Sequence, residues 1–303
     1  MELKTKCDCG GSFSIKMMGE LEVLLCNKCL DVHGYTTNNQ LISNINNNDV
    51  INYDNLIGDI ELDKIYNEKS EITISRMKDK SIDYVITSPP YNAAKKGVFK
   101  YSNKRSETNK KYKSYSDDLK SNSYYNWQVK IINSLLRVTK YHIFYNIQLL
   151  SDNKIEVIAI MDTFRYFIKD IIIWKKIPIP HIQKGILNTE YEFIIVFSND
   201  KPELKKFSKV NFGQGKLSNL IQIGRDSKKY SQSNKATFPV NLVRWFLINF
   251  CQKGEIIYDP YMGTGTTGFG CKLEDMHYIG SEIDKDQVDL SIKRIENIEL
   301  TLF

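Results

Sequence analysis

The sequence predicts an α/β fold, a mostly parallel sheet with helices on both faces, preceded by a small cysteine-rich module. Three observations carry that prediction. From residue 81 onward, short apolar runs alternate with longer amphipathic runs, the rhythm of strand–helix–strand units. A glycine-rich turn, Asp259-Pro260-Tyr261-Met262-Gly263-Thr264-Gly265-Thr266-Thr267-Gly268, separates one such strand from one such helix. Four of the six cysteines, Cys7, Cys9, Cys26 and Cys29, fall at the start of the chain.

The 303 residues suffice for one large α/β domain and a small appendage, and 42% hydrophobic against 26% charged residues describes an ordinary globular core. No apolar stretch approaches the roughly 18 residues of a membrane span. Met1 to Gly11 is polar, without the apolar centre of a signal peptide, so a cytoplasmic protein is expected.

Residues 1–36 read as the cysteine module. Cys7-x-Cys9 and Cys26-x-x-Cys29 each place two thiolates on a tight turn, and the alternation from Ser12 to Leu25 suggests a hairpin between them. Without a secretion signal, that crowding favours a metal over disulfides. Four soft ligands suit tetrahedral structural zinc, which would supply folding energy that so short a segment cannot bury. The Cys-x-Cys spacing departs from the common ribbon pattern, and His33 is an alternative ligand. Cys251 and Cys271 lie in apolar surroundings and read as core thiols.

The asparagine-rich segment 37–53 reads as a linker to a domain over 54–303. In that domain strands are expected at Ser81–Thr87, His142–Ile147, Asp170–Trp174, Glu192–Ser198, Ile256–Tyr258 and His277–Ser281. Helices are expected at Tyr124–Val138, Lys154–Phe164, Pro239–Phe250, Thr267–Leu273 and Gln287–Ile295. The polar stretch 199–234, with eight lysines and arginines, breaks the rhythm and reads as an insertion.

Gly263, Gly265 and Gly268 fit G-x-G-x-x-G, and Glu282 follows 19 residues after Gly263 at the end of the next strand. That pattern suits a dinucleotide, with the acid on the ribose hydroxyls. A phosphate-binding P-loop is excluded because no Lys-Ser/Thr follows. Only about 40 residues remain after Gly263, too few for a nicotinamide domain that starts there, so the remaining strands must lie upstream. Asp259 before Pro260 suits a ligand with a cationic centre, and S-adenosylmethionine is such a ligand.

Upstream, Ser88-Pro89-Pro90-Tyr91 ends the strand Ile82–Thr87. Two prolines keep Ser88 out of the helical region, so the carbonyls stay available to a ligand. The Ser88 hydroxyl and Pro89 carbonyl could hold the two hydrogens of an exocyclic base amine, drawing its lone pair out of conjugation for in-line attack. A base so placed must leave the duplex, and stacking on Tyr91 would offset part of that cost. After Tyr91 come Lys95, Lys96, Lys100, Lys104 and Arg105, interleaved with aromatics and opposed in residues 93–116 only by Glu107. Such a run is either a solvated loop or one that meets phosphates, and its position beside Tyr91 favours phosphates.

Thr87-Ser88-Pro89-Pro90-Tyr91-Asn92 and Asp259-Pro260-Tyr261-Met262-Gly263-Thr264-Gly265-Thr266-Thr267 together resemble the amino-methyltransferases of bacterial restriction-modification systems, of the class β order in which the catalytic motif precedes the cofactor motif. The resemblance covers roughly residues 54–297. It implies a Rossmann-like S-adenosylmethionine-dependent methyltransferase fold with permuted motif order. It also implies cofactor contacts from Thr87, Asp259, Pro260, Gly263, Gly265, Thr266 and Thr267. Tyr278-Ile279-Gly280-Ser281-Glu282 resembles the ribose-binding strand, Gly58-Asp59 the pair beside the adenine, and Ala236-Thr237-Phe238-Pro239 the element at the cofactor's other end. Asn234 stands where histidine is common. Segment 199–234 takes the place of the target-recognition region.

The implied substrate is double-stranded DNA with a specific recognition sequence, the implied partner a cognate restriction endonuclease, and a homodimer is one assembly the family allows. Serine at the head of the motif leans toward cytosine N4, with adenine N6 as the alternative. A zinc-containing DNA-binding module with a vestigial methyltransferase fold and an RNA methyltransferase also stay open. No cysteine follows a proline, which excludes a carbon-5 cytosine enzyme, and the motif order argues against protein-glutamine methyltransferases.

Overall fold

The computed structural model describes residues 60–92, 119–177, 185, 187, 189–224, 226 and 239–297, together with the backbone of four strands between residues 13 and 43. The chain divides into two compact units, Met1–Asn55 and Leu56–Phe303.

In the first unit β1 (Phe13–Met18), β2 (Leu21–Cys26), β3 (Val32–Thr37) and β4 (Gln40–Ser43) form an antiparallel sheet in sequence order. The β1–β2 hairpin corresponds to the alternation read between the cysteine pairs, and its register sets Phe13 opposite Cys26. β4 lies inside the segment read as a linker and pairs with β3. Asparagine-rich flanks hid the short Gln40-Leu41-Ile42-Ser43 run.

The second unit is built on eight strands in the order β10-β8-β9-β7-β6-β11-β12-β5. They are β5 (Lys64–Tyr66), β6 (Ile82–Thr87), β7 (Thr139–Ile147), β8 (Ile168–Ile177), β9 (Tyr191–Ser198), β10 (Leu220–Gly224), β11 (Ile256–Asp259) and β12 (His277–Ser281). Only β9 runs antiparallel to its neighbours, β7 and β8; the remaining pairs are parallel. This is the mostly parallel sheet expected from the alternation. All six residues of β6 are buried, as a central strand covered on both faces requires.

Successive strand residues feed opposite faces. Phe144, Ile194 and Val196 pack with α4 (Val240–Phe250), α5 (Thr266–Leu273) and α6 (Lys285–Glu296). Ile143, Tyr145, Ile195 and Phe197 pack with α1 (Ser70–Ser75), α2 (Ser121–Val138) and α3 (Lys154–Thr163). α2 carries the chain from β6 outward to β7 over one face, whereas α5 carries it from β11 outward to β12 over the other. The strand order therefore reverses between β6 and β11. In open α/β sheets such a reversal opens a crevice at the carboxyl ends of the two strands, and ligands bind there.

The described part of segment 199–234 joins the sheet rather than interrupting it. It adds β10 to the sheet edge, parallel to β8, and packs Phe207, Val210 and Phe212 onto the core. Asn211 donates to the carbonyls of Ile248 (2.9 Å) and Cys251 (2.6 Å) at the end of α4. Its lysines made the stretch look polar, while every few residues an apolar side chain turned inward.

Candidate active site

Asp259 ends β11 and is 3% exposed. Three donors meet its carboxylate: the Thr87 hydroxyl at 2.8 Å, the Thr267 hydroxyl at 2.6 Å and the Tyr261 amide at 3.0 Å. Burial lifts its pKa to about 6 and these donors hold it from rising further. The Thr87 bond joins the end of β6 to the end of β11, so the two motifs meet at the strand reversal.

Beyond Asp259 the chain needs left-handed backbone, with φ of 53° at Gly263 and 78° at Gly265. A Cβ at Gly265 would sit 2.8 Å from the Ser291 Cβ and 3.1 Å from its Cα, so any side chain there would push α6 away. A Cβ at Gly263 would meet nothing closer than 3.5 Å. Glu282 closes the turn, its two oxygens accepting from the amides of Gly263 (2.9 Å) and Asp284 (2.8 Å). Burial raises its pKa and the two amides oppose the shift. Thr266 is buried and accepts from Arg294 at 3.0 Å, and Arg294 also reaches the Thr264 carbonyl and lies 3.8 Å from Asp226. Both Asp226 oxygens accept from the Val240 amide at 3.1 Å, behind Pro239 at the start of α4.

The Ser-Pro-Pro-Tyr turn leaves β6 next to this loop. Its carbonyls are used unequally. Tyr124 on α2 donates to the Pro90 carbonyl (3.0 Å) and Asn153, ahead of α3, donates to the Tyr91 carbonyl (2.8 Å). Among the described residues none donates to the Pro89 carbonyl. Ser88 Oγ lies 3.0 Å from the Tyr91 hydroxyl, which in turn donates to Glu192 Oε2 at 2.8 Å. Asn146 at the end of β7 donates to both the Tyr91 oxygen (2.6 Å) and Glu192 Oε2 (2.7 Å). Lys176 on β8 faces Glu192 Oε1 at 3.1 Å. Burial and the Glu192 charge push the Tyr91 phenol far above its ordinary pKa. Asn92 adopts a left-handed φ of 56° and its amide bonds both ways with Leu119, at 2.9 and 2.7 Å. The two ends of the lysine-rich segment are thus pinned together beside the turn.

Of the expected site residues, Thr87, Ser88, Pro89, Pro90, Tyr91, Pro239, Asp259, Pro260, Gly263, Gly265, Thr266, Thr267 and Glu282 are described, and the two turns come together. Asp59, Phe238, Lys95, Lys96, Lys100, Lys104 and Arg105 lie outside the described residues, as do Cys7, Cys9 and Cys29 and the side chain of Cys26. Asn146, Asn153, Tyr124, Lys176, Glu192 and Arg294 were not anticipated. A polar residue inside an apolar strand, as Asn146 is in Tyr141–Ile147, was the available signal.

The family model described as DNA methylase, of the N6/N4 methyltransferase type, matches residues 82–293. The Type II methyltransferase M.Cfr9I of Citrobacter freundii is 32% identical over 71 residues, 23% of this chain and 24% of that protein. The orphan methyltransferase M.BamHII of Bacillus amyloliquefaciens is likewise matched over 26% of its length, so the chain spans about a quarter of these first relatives. The Type II methyltransferase M.BglII of Bacillus subtilis is 23% identical over 264 residues, covering 76% of this chain and 68% of that protein. Among solved structures, the cytosine-N4-specific PvuII DNA methyltransferase superposes with a TM-score of 0.57 at 17% identity, covering 78% of this chain and 89% of that one. The M1.HpyAVI–SAM complex gives 0.51 at 18% identity, covering 76% and 98%. These structures share the α/β fold. With the family model spanning most of the second unit, the chain belongs to the N6/N4 DNA methylase family.

Proposed function

We propose that this protein transfers a methyl group from S-adenosylmethionine to the exocyclic amine of a base flipped out of double-stranded DNA, with cytosine N4 the favoured target. The observation that carries the reading is the 2.8 Å bond between Thr87 and Asp259, which sets a cofactor-type glycine turn and an amine-binding turn at adjoining strand ends. The residues fit the cofactor. The left-handed Gly263 and Gly265 shape the turn, Asp259 offers a buried carboxylate to a cationic ligand, and each Glu282 oxygen keeps a lone pair for a ribose hydroxyl. The relative solved as a SAM complex supports the same assignment.

S-adenosylmethionine supplies an electrophilic methyl group when bound. The chain's own residues prepare the nucleophile. Ser88 Oγ and the Pro89 carbonyl, to which none of the described residues donates, accept the two amine hydrogens, which directs the nitrogen lone pair out of the ring plane. The half-buried Tyr91 presents its ring to the base while its hydroxyl is committed inward. Serine at the motif head and the cytosine-N4 specificity of the PvuII enzyme favour cytosine. Lys95, Lys96, Lys100, Lys104 and Arg105 would meet phosphates, since Asn92 and Leu119 hold both ends of their segment at the site.

The first unit we assign to a structural zinc on Cys7, Cys9, Cys26 and Cys29. The support is register: pairing Phe13 with Cys26 makes the segments carrying both cysteine pairs leave the β1–β2 hairpin at one end. One zinc per chain by elemental analysis, with loss of that unit's cooperative unfolding on chelation, is the expected result; a metal-free protein with reactive thiols would end the assignment.

The decisive experiment incubates the protein with methyl-labelled S-adenosylmethionine and unmethylated bacterial genomic DNA, then identifies the labelled nucleoside by mass spectrometry. N4-methylcytosine is expected. N6-methyladenine would keep the mechanism and reverse the base. No label in DNA or RNA would defeat the reading.

A further inference from the structure

The hydroxyls at the catalytic turn have no choice in which hydrogen bonds they donate, and Glu192 removes that choice. Its carboxylate is 12% exposed and lies against the Lys176 ammonium, whose side chain is 5% exposed. An ionised carboxylate accepts hydrogen bonds and donates none. The single Tyr91 proton therefore goes to Glu192 Oε2, 2.8 Å away. Asn146 Nδ2 donates to the same oxygen and to the Tyr91 oxygen, and turning that amide over would set its carbonyl against the carboxylate. With its proton committed, Tyr91 can only accept from Ser88 at 3.0 Å. The Ser88 proton is consumed in turn; of its two lone pairs one lies 3.4 Å from Asn146 Nδ2 and the other is left for a ligand.

We infer that Glu192, paired with Lys176 and acting through Tyr91, is a positioning residue that fixes Ser88 as a hydrogen-bond acceptor. The site thereby takes a base edge that donates, an amine, and rejects one that carries a carbonyl in the same place. A carbonyl would face Ser88 lone pairs and the Pro89 carbonyl with no donor between them, and sites built around a hydrogen bond discriminate strongly against a partner that cannot make it. This inference rests on the function proposed above and adds what selects the substrate group. Among the described residues, the charged and titratable groups facing Glu192 are Tyr91 from the turn and Lys176 from β8, with the neutral Asn146 from β7.

The test is a double-mutant cycle read by methyl transfer to unmethylated bacterial genomic DNA. Glu192→Gln keeps the shape of the side chain but offers Tyr91 a donor as well as an acceptor, so the chain of hydroxyls loses its direction. We expect the turnover number of Glu192→Gln to fall roughly 10- to 100-fold, with KM for S-adenosylmethionine and for DNA unchanged. Tyr91→Phe should fall comparably, and the double variant should be no slower than Tyr91→Phe alone, because Glu192 acts only through that hydroxyl. Glu192→Gln leaves Lys176 without its counter-charge, so Glu192→Gln with Lys176→Met is measured beside it, and the melting temperature of each variant is recorded. Losses that multiply in the double variant, or a Glu192→Gln defect confined to KM or to melting temperature, would overturn the inference. Wild-type protein that methylates no nucleic acid would instead overturn the proposed function.

Discussion

The two turns that frame the site differ in how much of their shape comes from their own backbone. The glycine turn after β11 takes its shape from backbone, two left-handed glycines, a Gly265 amide bonded to the Met262 carbonyl and a Met262 amide bonded to the Ser281 carbonyl of β12, and the side chains of Asp259, Glu282 and Ser291 add bonds to its amides and carbonyls. The Ser-Pro-Pro-Tyr turn after β6 has prolines where amides would be and is held by side chains from elsewhere. Tyr124 and Asn153 secure its carbonyls, while Asn146 and Glu192 secure its hydroxyls. A backbone-held turn is rigid before any partner arrives. A side-chain-held turn is only as well placed as the helices and strands that reach it, which lets hydrogen-bond direction be set from a distance.

The largest blow to the backbone-held side should be Gly265→Val, which adds a clash with Ser291 to a left-handed φ. A loss of about 3 kcal/mol or more is expected, a fall of roughly 10 °C in melting temperature, with cofactor binding lost as well. Next is Asp259, the residue shared by both turns. Burial raises its folded pKa from 3.8 to about 6, so the folded state binds this proton more tightly than the unfolded chain does. Through this group stability is lowest above pH 6 and recovers as pH falls toward 4. The wild type should therefore gain up to about 3 kcal/mol on Asp259→Asn between pH 7 and pH 4, by paired denaturant titrations. A pH-independent difference would refute the burial argument.

On the side-chain-held turn, Asn153→Ala leaves the Tyr91 carbonyl without its donor and should cost about 1–3 kcal/mol. Turnover should fall while S-adenosylmethionine affinity, measured by calorimetry, stays at the wild-type value. If affinity falls as much as turnover, the two turns are not separately held. At the small end stands Lys253→Ala, which removes an exposed pair with Asp275 remote from both turns; no resolvable change in melting temperature is expected.

The same contrast explains what could be read from the sequence. Glycines at fixed spacing, an acid 19 residues on and a Pro-Pro pair are local marks of local backbone shape, and the structure has left-handed backbone at Gly263 and Gly265 with Glu282 accepting from the Gly263 amide. Long apolar runs gave β6, β7 and β9. The direction of β9 was not legible, since a buried strand reads alike either way. β5 is three residues long and β10 lies among lysines, so neither carried a pattern. Glu192, Asn146 and Lys176 are single polar residues on three different strands, and only their convergence in space gives them meaning.

The reversal of strand order also dictates when the molecule can fold. Thr87 and Asp259 are 172 residues apart, and β5 pairs through Lys64 and Ile279 with a strand still more remote. On the ribosome, β6 must wait for β11 with one apolar edge unpaired, although all six of its residues end up buried. Such distant parallel pairings make folding slow and leave the waiting strand open to association with other chains. A chain arrested before residue 256 would carry most of the described helices and an exposed central edge, and would be a substrate for chaperones rather than a partly folded domain stable by itself.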